Sequence, residues 1–319
     1  MVRSASKRTR RHGVHSMAET DEVTVGVIGL GAMGLGMGLS LVKAGFTVTG
    51  YDPADGARRR AEAEGIAPLA SAAAVFGVAD VIVLSLPTAQ HVETVIAEAT
   101  EAGWLAEGIA PKVVIDTSTS EAAVSRRLSA TLDAHGHGFL DAPVSGGPSG
   151  AASGQLSVML GGDPRWVAQG MPALKAMAAR IIHVGPSGSG NVAKLVNNML
   201  VASHMVTTVE ALRLAQASGV EPEDALRVIN AATGRSALSE IHFPTWVLPR
   251  SFNSGFSTGL MRKDLRLARA LAAEVGIATP MADRAAALWD EANSGLSDGD
   301  DFMLMGDPAV DRLTEKEKP

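Results

Sequence analysis

The chain has 319 residues, 46% of them hydrophobic, enough to bury a sizeable core and long enough for two domains. A net charge of −6 and a sequence pI of about 5.8 leave no general basic field for nucleic acid. There is no cysteine, which excludes disulfides, thiolate zinc sites and a cysteine nucleophile.

Residues 1–18 differ from the rest, with Arg3, Lys7, Arg8, Arg10 and Arg11 and no acidic residue. An arginine- and serine-rich, acid-poor start is one description of an organelle transit peptide, but this one lacks a clear amphipathic face. Met17 stands just before the first strand, so residues 1–20 read as a disordered basic extension outside the fold. A soluble, cytoplasmic protein is expected, with organelle targeting as the alternative.

Residues 23–28 form a short apolar, β-rich run that ends in Gly29-Leu30-Gly31-Ala32-Met33-Gly34, followed by a helical segment to Ala44. This is the dinucleotide pattern in its strand–turn–helix context. The first glycine permits the tight turn, the second lets backbone approach a pyrophosphate, and the third lets helix pack on strand. The helix N-terminus offers unpaired N–H groups to the phosphates. A second strand, residues 46–51, ends in Asp52, 23 residues after Gly29, where an acid accepts hydrogen bonds from the adenosine ribose. Its carboxylate repels the 2′-phosphate of NADP, so NAD is the expected cofactor. Arg58, Arg59 and Arg60 leave NADP possible, although they also suit the solvated face of the next helix.

The alternation continues with residues 80–87, a buried-type strand closed by proline, and with residues 113–116 ahead of Thr117-Ser118-Thr119-Ser120. Ligands of open α/β sheets bind beyond the carboxyl ends of strands, where Leu86, Pro87 and the 117–120 cluster fall. Helix capping by Thr119 or Ser120 explains the cluster equally well. The sheet is expected to extend through residues 138–144, 156–160 and 181–184, with short connections around 147–153 implying antiparallel pairing. Residues 141–147, Asp-Ala-Pro-Val-Ser-Gly-Gly, end in Ser145-Gly146-Gly147. Such an ending can aim successive N–H groups and a hydroxyl at a carboxylate, whereas a plain turn needs only the glycines.

Residues 188–218 read as one long helix, free of glycine and proline from Asn191 to Ala217. Val192, Leu195, Met199, Ala202, Val206 and Val209 give it an apolar face, while Lys194 and Asn198, four apart, share a different one. A lysine in the first turn opposes the positive end of the helix dipole. That dipole and partial burial lower its pKa toward the range useful for proton transfer. A solvated lysine beside a backbone-binding asparagine is the plainer alternative. Lys194, Asn197, Asn198 and His204 argue against a membrane span.

Beyond this helix the chain reads as helical over 223–232, less regularly over 236–254, then over 261–275 and 281–292, punctuated by Pro222, Pro244, Pro249 and Pro280. Lys263 stands among mixed charges, as on a solvated face. The histidines show no metal-ligand spacing, and His135 and His137 read as loop residues.

With these residues assembled, the chain resembles the β-hydroxyacid dehydrogenase family, the 3-hydroxyisobutyrate dehydrogenase and tartronate semialdehyde reductase-like proteins related to 6-phosphogluconate dehydrogenase. Four motifs match in order: residues 29–34, residues 141–147, residues 185–198, and Gly255-Phe256 through Lys263-Asp264. The resemblance spans residues 23–305. It implies an α/β fold in which an NAD-binding Rossmann-type domain with a mostly parallel sheet, residues 21–186, precedes an all-helical substrate and oligomerisation domain, residues 187–319. The long helix joins the two.

By the same resemblance the protein is a dehydrogenase acting on the CH–OH group of a small carboxylate-bearing substrate, for which Asp52 makes NAD the preferred cofactor. A homodimer or homotetramer is expected, with no metal, membrane or nucleic-acid partner. Lys194 is then the general acid/base and Asn198 orients the substrate, whose carboxylate Ser145, Gly146 and Gly147 hold. Lys263 faces both substrate and cofactor. Gly29, Leu30, Gly31, Ala32, Met33, Gly34, Asp52, Leu86, Pro87 and Thr119 line the cofactor, and His91 stands where some relatives carry asparagine. Reduction of tartronate or succinic semialdehyde and oxidation of a threonate-type acid are neighbouring readings. An imine reductase and a non-catalytic dinucleotide-binding interaction protein are more distant ones, and the Lys194-Asn198 pair argues against both.

Overall fold

The computed structural model describes residues 23–290 and 294–307. Its first half alternates strand and helix. β1 (Thr24–Ile28), α1 (Ala32–Lys43), β2 (Thr47–Tyr51), α2 (Asp55–Ala63) and the two-residue β3 (Ala67–Pro68) open it. α3 (Ala72–Val78), β4 (Val81–Leu84), α4 (Ala89–Glu101), β5 (Val113–Asp116), α5 (Ala122–Asp133) and β6 (Gly138–Asp141) continue the alternation. β7 (Val144–Ser145), α6 (Gly147–Ser153), β8 (Leu156–Gly161), α7 (Pro164–Met177) and β9 (Ala178–Gly185) complete the sheet.

The strand order is β3-β2-β1-β4-β5-β6-β8-β7, with β9 also paired to β8. Strands β1 to β6 pair in parallel, β8 runs antiparallel to β6 and β7, and β9 runs parallel to β8. Strand order reverses between β1 and β4, which opens a crevice at their carboxyl ends. The near-continuous apolar strands follow from burial on both faces. In β4, Val81 and Val83 join Met37, Leu41 and Leu174 on one side, while Ile82 and Leu84 join Phe76, Val92 and Leu128 on the other.

Antiparallel pairing occurs as expected, but residues 147–153 form helix α6 rather than a short connection. Its Gly-Pro-Ser-Gly-Ala-Ala-Ser sequence has no apolar periodicity, so the helix is held from outside. Ser40 Oγ donates to Ala151 O at 2.6 Å and Lys43 Nζ to Ala152 O at 3.1 Å. A Cβ at Gly36 would lie 2.9 Å from Ala151 Cβ, so α1 and α6 approach this closely only across a glycine.

The second half comprises α8 (Ser189–Ala217), α9 (Pro222–Ala231), a π-helical segment (Leu238–Val247), α10 (Thr258–Glu274), α11 (Pro280–Trp289) and a 3₁₀ turn (Phe302–Gly306). Pro222 and Pro280 open α9 and α11, where a missing N–H costs nothing. Pro244 lies inside the π-helical segment, the physical form of the irregularity read over 236–254. Met205, Val209 and Leu212 of α8 pack with Phe243, Trp289 and Phe302 in a separate helical core.

The buried stripe of α8 comprises Asn191, Lys194, Leu195, Asn198, Ala202, Met205, Val206, Val209 and Leu212. Lys194 and Asn198 therefore lie on the buried stripe, not on a face apart from it. Val192 and Met199 are only half-buried. The reason is that the first turns of α8 are covered by β8 and α10, leaving Val196 and Leu200 facing outward. Among the described residues no helix is long and apolar enough to cross a membrane. The reading of residues 1–20, and of the last turn to residue 292, lies outside the described residues.

Candidate active site

The first part of the site is the turn between β1 and α1. Gly29 has φ +88°, and a Cβ there would sit 2.2 Å from Ser85 O; a Cβ on Gly34 would sit 1.8 Å from Gly29 O. Both glycines are thus required by packing. Gly31 differs, since a Cβ there would meet nothing within 4 Å. It is the N-cap of α1, without a side-chain cap, so the helix presents its first amides to open space, as pyrophosphate binding requires. Asp52 at the end of β2 accepts from Leu30 N at 2.8 Å and from Ala54 N at 2.8 Å, which fixes its carboxylate beside the turn. These residues fit a nicotinamide dinucleotide. Leu30 and Met33 pack into or against the core, so Leu30, fully buried, offers only backbone to a ligand.

The second part is carried by α8. Gly188, with φ +90°, caps it, and Gly190 lets its first turn sit against the sheet, since a Cβ there would lie 2.4 Å from both Asp141 O and Met159 O. Asp141 accepts from Gly188 N at 2.7 Å and Asn191 N at 3.0 Å. The Asn191 side chain accepts from Ser120 N and donates to the hydroxyls of Ser120 and Ser125. These contacts bolt the N-terminus of α8 to the ends of β5 and β6.

One turn further, Lys194 is 7% exposed and donates to Val144 O at 2.8 Å. Burial holds its pKa below the ordinary lysine range; nearby Asp264 opposes that shift and Lys263 reinforces it. Asn198 is buried, donates from Nδ2 to Asp264 Oδ2 at 2.6 Å and accepts from Asn197 Nδ2 at 3.0 Å.

Ser145, Gly146 and Gly147 stand where β7 ends and α6 begins. Gly146 is the N-cap with φ +129° and Gly147 has φ +63°, conformations that side chains resist. Ser145 and Gly146 are exposed, next to the carbonyl that holds Lys194. The loop meets the helical half at Ser254 and Gly255, which lie against Gly147 and Pro148.

Lys263 bridges the halves. From α10 its Nζ donates to Thr119 O at 2.9 Å and Pro87 O at 3.5 Å, beyond the ends of β5 and β4. It is not on a solvated face, because both carbonyls lie where the sheet's carboxyl ends meet α10. Leu86 N donates to Ser118 Oγ at 3.0 Å, so Leu86, Pro87 and Thr119 form one wall.

Helix capping does not explain the 117–120 cluster. α5 begins after Glu121 without a side-chain cap, while Thr117 donates to Leu84 O and Ser118 and Ser120 tie this loop to Leu86 and Asn191. His137 is likewise no open loop residue: it is buried, accepts from Lys112 N at 3.1 Å and packs on Trp104. His91 remains exposed, its Nδ1 2.7 Å from Thr88 Oγ1. Among the described residues no group of three His, Asp or Glu could hold a metal.

Three buried carboxylates went unnoticed as such in the sequence. Asp116 is pushed up to about 7 by burial, against hydrogen bonds from Ser118 and with Asp141 as a lesser upward influence. Asp141, its register partner on β6, is also raised by burial. Asp264 is 2% exposed and joins Asn198 to Lys263. Only the adjacency of Lys263 and Asp264 hinted at this, since Asn198 is 66 positions away.

Residues 24–185 match the model of the NAD-binding domain of 6-phosphogluconate dehydrogenase, and residues 188–307 that described as the NAD-binding domain of NADP-dependent 3-hydroxyisobutyrate dehydrogenase. The chain belongs to the β-hydroxyacid dehydrogenase family. It is 37% identical over 272 residues to a probable 3-hydroxyisobutyrate dehydrogenase of Mycobacterium tuberculosis, covering 83% of this chain and 91% of the relative. With an NAD-dependent L-serine dehydrogenase of Pseudomonas aeruginosa it shares 35% identity over 272 residues, 83% of this chain and 90% of the relative. The solved structure of Mycobacterium tuberculosis 3-hydroxyisobutyrate dehydrogenase with L-serine superposes with a TM-score of 0.80 at 35% identity, covering 88% of this chain and 98% of that one. As a β-hydroxyacid dehydrogenase, the protein is a nicotinamide-dependent oxidoreductase acting on CH–OH groups.

Proposed function

We propose that this chain interconverts a small β-hydroxyacid of the 3-hydroxyisobutyrate type and its semialdehyde, with Lys194 as the general acid/base and NAD as the preferred cofactor. The observation that carries this reading is the buried Lys194 amine, held one residue from Ser145 and one helical turn from Asn198. In oxidation the neutral amine accepts the hydroxyl proton; in reduction the ammonium returns it. Nicotinamide, when bound, supplies the hydride acceptor or donor. Ser145, Gly146 and Gly147 bind the carboxylate and Asn198 and Lys263 position the substrate, so that one carbon faces the wall of Leu86, Pro87 and Thr119.

Asp52 supports NAD, because its anchored carboxylate occupies the place a 2′-phosphate would need. Gly29, Leu30, Gly31, Ala32, Met33 and Gly34 serve the pyrophosphate through backbone N–H groups. We assign the cofactor role to residues 21–186 and the substrate and assembly role to residues 187–319. The chain acts as a homodimer or homotetramer, a reading supported by the outward apolar Val196 and Leu200 of α8 and testable by light scattering; we place it in the cytoplasm.

L-serine, itself a β-hydroxyacid, is the second reading, favoured by the serine dehydrogenase relative and by the serine-containing solved structure. Steady-state assays of 3-hydroxyisobutyrate and L-serine with NAD and NADP, read by nicotinamide absorbance, separate the two. No turnover of any β-hydroxyacid would overturn both.

A further inference from the structure

Asp264 is the carboxylate on which the proposed reacting groups converge. Its Oδ2 accepts from Asn198 Nδ2 at 2.6 Å, and its Oδ1 lies 3.4 Å from Lys263 Nζ without making a hydrogen bond of its own. At 2% exposure its charge is shielded from water, so its neighbours must answer it. Lys263 does so by charge while reaching Thr119 O and Pro87 O, and Asn198 does so by an N–H.

An amide facing a carboxylate can present only its nitrogen. Asn198 Oδ1 is turned the other way, to Asn197 Nδ2 at 3.0 Å, and one N–H of Asn198 Nδ2 is left after the bond to Asp264. We infer that Asp264 is a positioning residue that locks Asn198 with an N–H, never its carbonyl, toward a substrate oxygen, and that holds Lys263 against the cofactor wall at the same time. This deepens the reading of Lys194 and Asn198 as the substrate-handling pair and rests on it. The ligand class it selects is one that offers Asn198 an acceptor, a hydroxyl or carboxylate oxygen.

The charged groups facing Lys194 are Asp264 and Lys263, both from α10; from β7 it meets only the Val144 carbonyl. The Asp264 charge favours the ammonium form and Lys263 disfavours it. Removing the carboxylate therefore moves the Lys194 ionisation to lower pH.

The test is Asp264→Asn, which keeps shape and removes charge, assayed with the best β-hydroxyacid substrate and with NAD. We expect kcat/KM for the acid to fall about 10- to 100-fold, the range for one charge-assisted hydrogen bond. The ionisation in the oxidative pH profile should move down, and NAD binding measured by protein fluorescence should weaken less than substrate KM rises. A loss of turnover with an unmoved pH profile would assign Asp264 to folding alone and overturn the inference, as would unchanged constants.

If the asparagine variant does not fold, Asp264→Glu carries the test. It keeps the charge and shifts its reach, so substrate KM should rise while the ionisation stays; an unchanged KM overturns the inference. Lys194→Ala, run in parallel, separates the two levels. Turnover retained there sinks the Lys194 reading itself, whereas turnover lost there but intact in Asp264→Asn sinks only the inference.

Discussion

Lys194 Nζ donates to the carbonyl oxygen of Val144 at 2.8 Å, and Val144 is the residue before Ser145. The lysine of α8 and the loop that begins α6 are therefore joined through one peptide unit, so a carboxylate held by that loop, as proposed, would meet the lysine without an intervening flexible segment. The carbonyl is a neutral partner. It orients the amine without supplying the counter-charge that would keep it protonated, and burial does the rest.

From that contact, Lys194→Ala is expected to lose kcat by roughly 10²- to 10⁴-fold while NAD binding stays near normal. Lys194→Arg should restore little, because guanidinium stays protonated. In oxidation kcat/KM should rise with pH through an ionisation below the ordinary lysine range that the alanine variant lacks. Turnover close to the parent's in folded Lys194→Ala would refute the mechanism.

Asp52 leads to a cofactor prediction. NAD should give the higher kcat/KM, and Asp52→Ala should narrow the margin, since it removes both the ribose acceptor and the repulsion of a 2′-phosphate. Arg58 donates to Asp52 O and pairs with Asp55, so it is already engaged by α2. Faster kinetics with NADP in the parent enzyme would reverse the assignment.

The Ser145 loop should distinguish an acid from its amide or neutral ester, turning over the first and hardly the others. Gly146→Ala places a side chain at φ +129°, at a strain cost of about 1–3 kcal/mol, with its Cβ 3.2 Å from Leu156. Substrate KM should rise strongly while the KM for NAD holds. Equal rates for acid and amide would rule out carboxylate recognition here.

Asp116 predicts a pH-dependent stability. Folded, it releases its proton near pH 7; unfolded, near the ordinary value of 3.8. Between these values the folded state binds more protons, so this group's contribution to stability falls as pH rises through the window. Asp116→Asn removes the buried charge while retaining an acceptor for Ser118 N. It should melt above the parent at pH 8, by on the order of a few kcal/mol, and converge with it near pH 4. Calorimetry at both pH values decides; a constant offset would mean that Asp116 does not titrate in this window.

Local patterns carried much of the fold. The strand–Gly29-Leu30-Gly31–helix unit, the period of α8 and the proline punctuation all act through nearest neighbours, and α8 runs from Ser189 to Ala217 much as its composition implies. What escaped was decided by distant partners. Small-residue α6 is a helix because Ser40 and Lys43 hold its end. His137 is buried because Trp104 and Lys112 close over it. Lys194 and Asn198 lie on the buried stripe itself because α10 covers it, whereas spacing alone put them on a face apart from the apolar one. In the site, the individual residues were visible, but the carboxylates that organise them were not, since Asp264 meets Asn198 only after folding.

The close approach of α1 and α6 over Gly36 fixes a gauge length. One helix starts at the proposed dinucleotide turn and the other at the proposed carboxylate loop, and because a Cβ added at Gly36 would lie only 2.9 Å from Ala151 Cβ, the two pack in direct contact. If the two loops take the roles proposed for them, the spacing between cofactor and substrate carboxylate is set largely within the sheet-bearing half. The start of α8 shares that frame, because Asp141 holds Gly188 and Asn191 and the Val144 carbonyl holds Lys194.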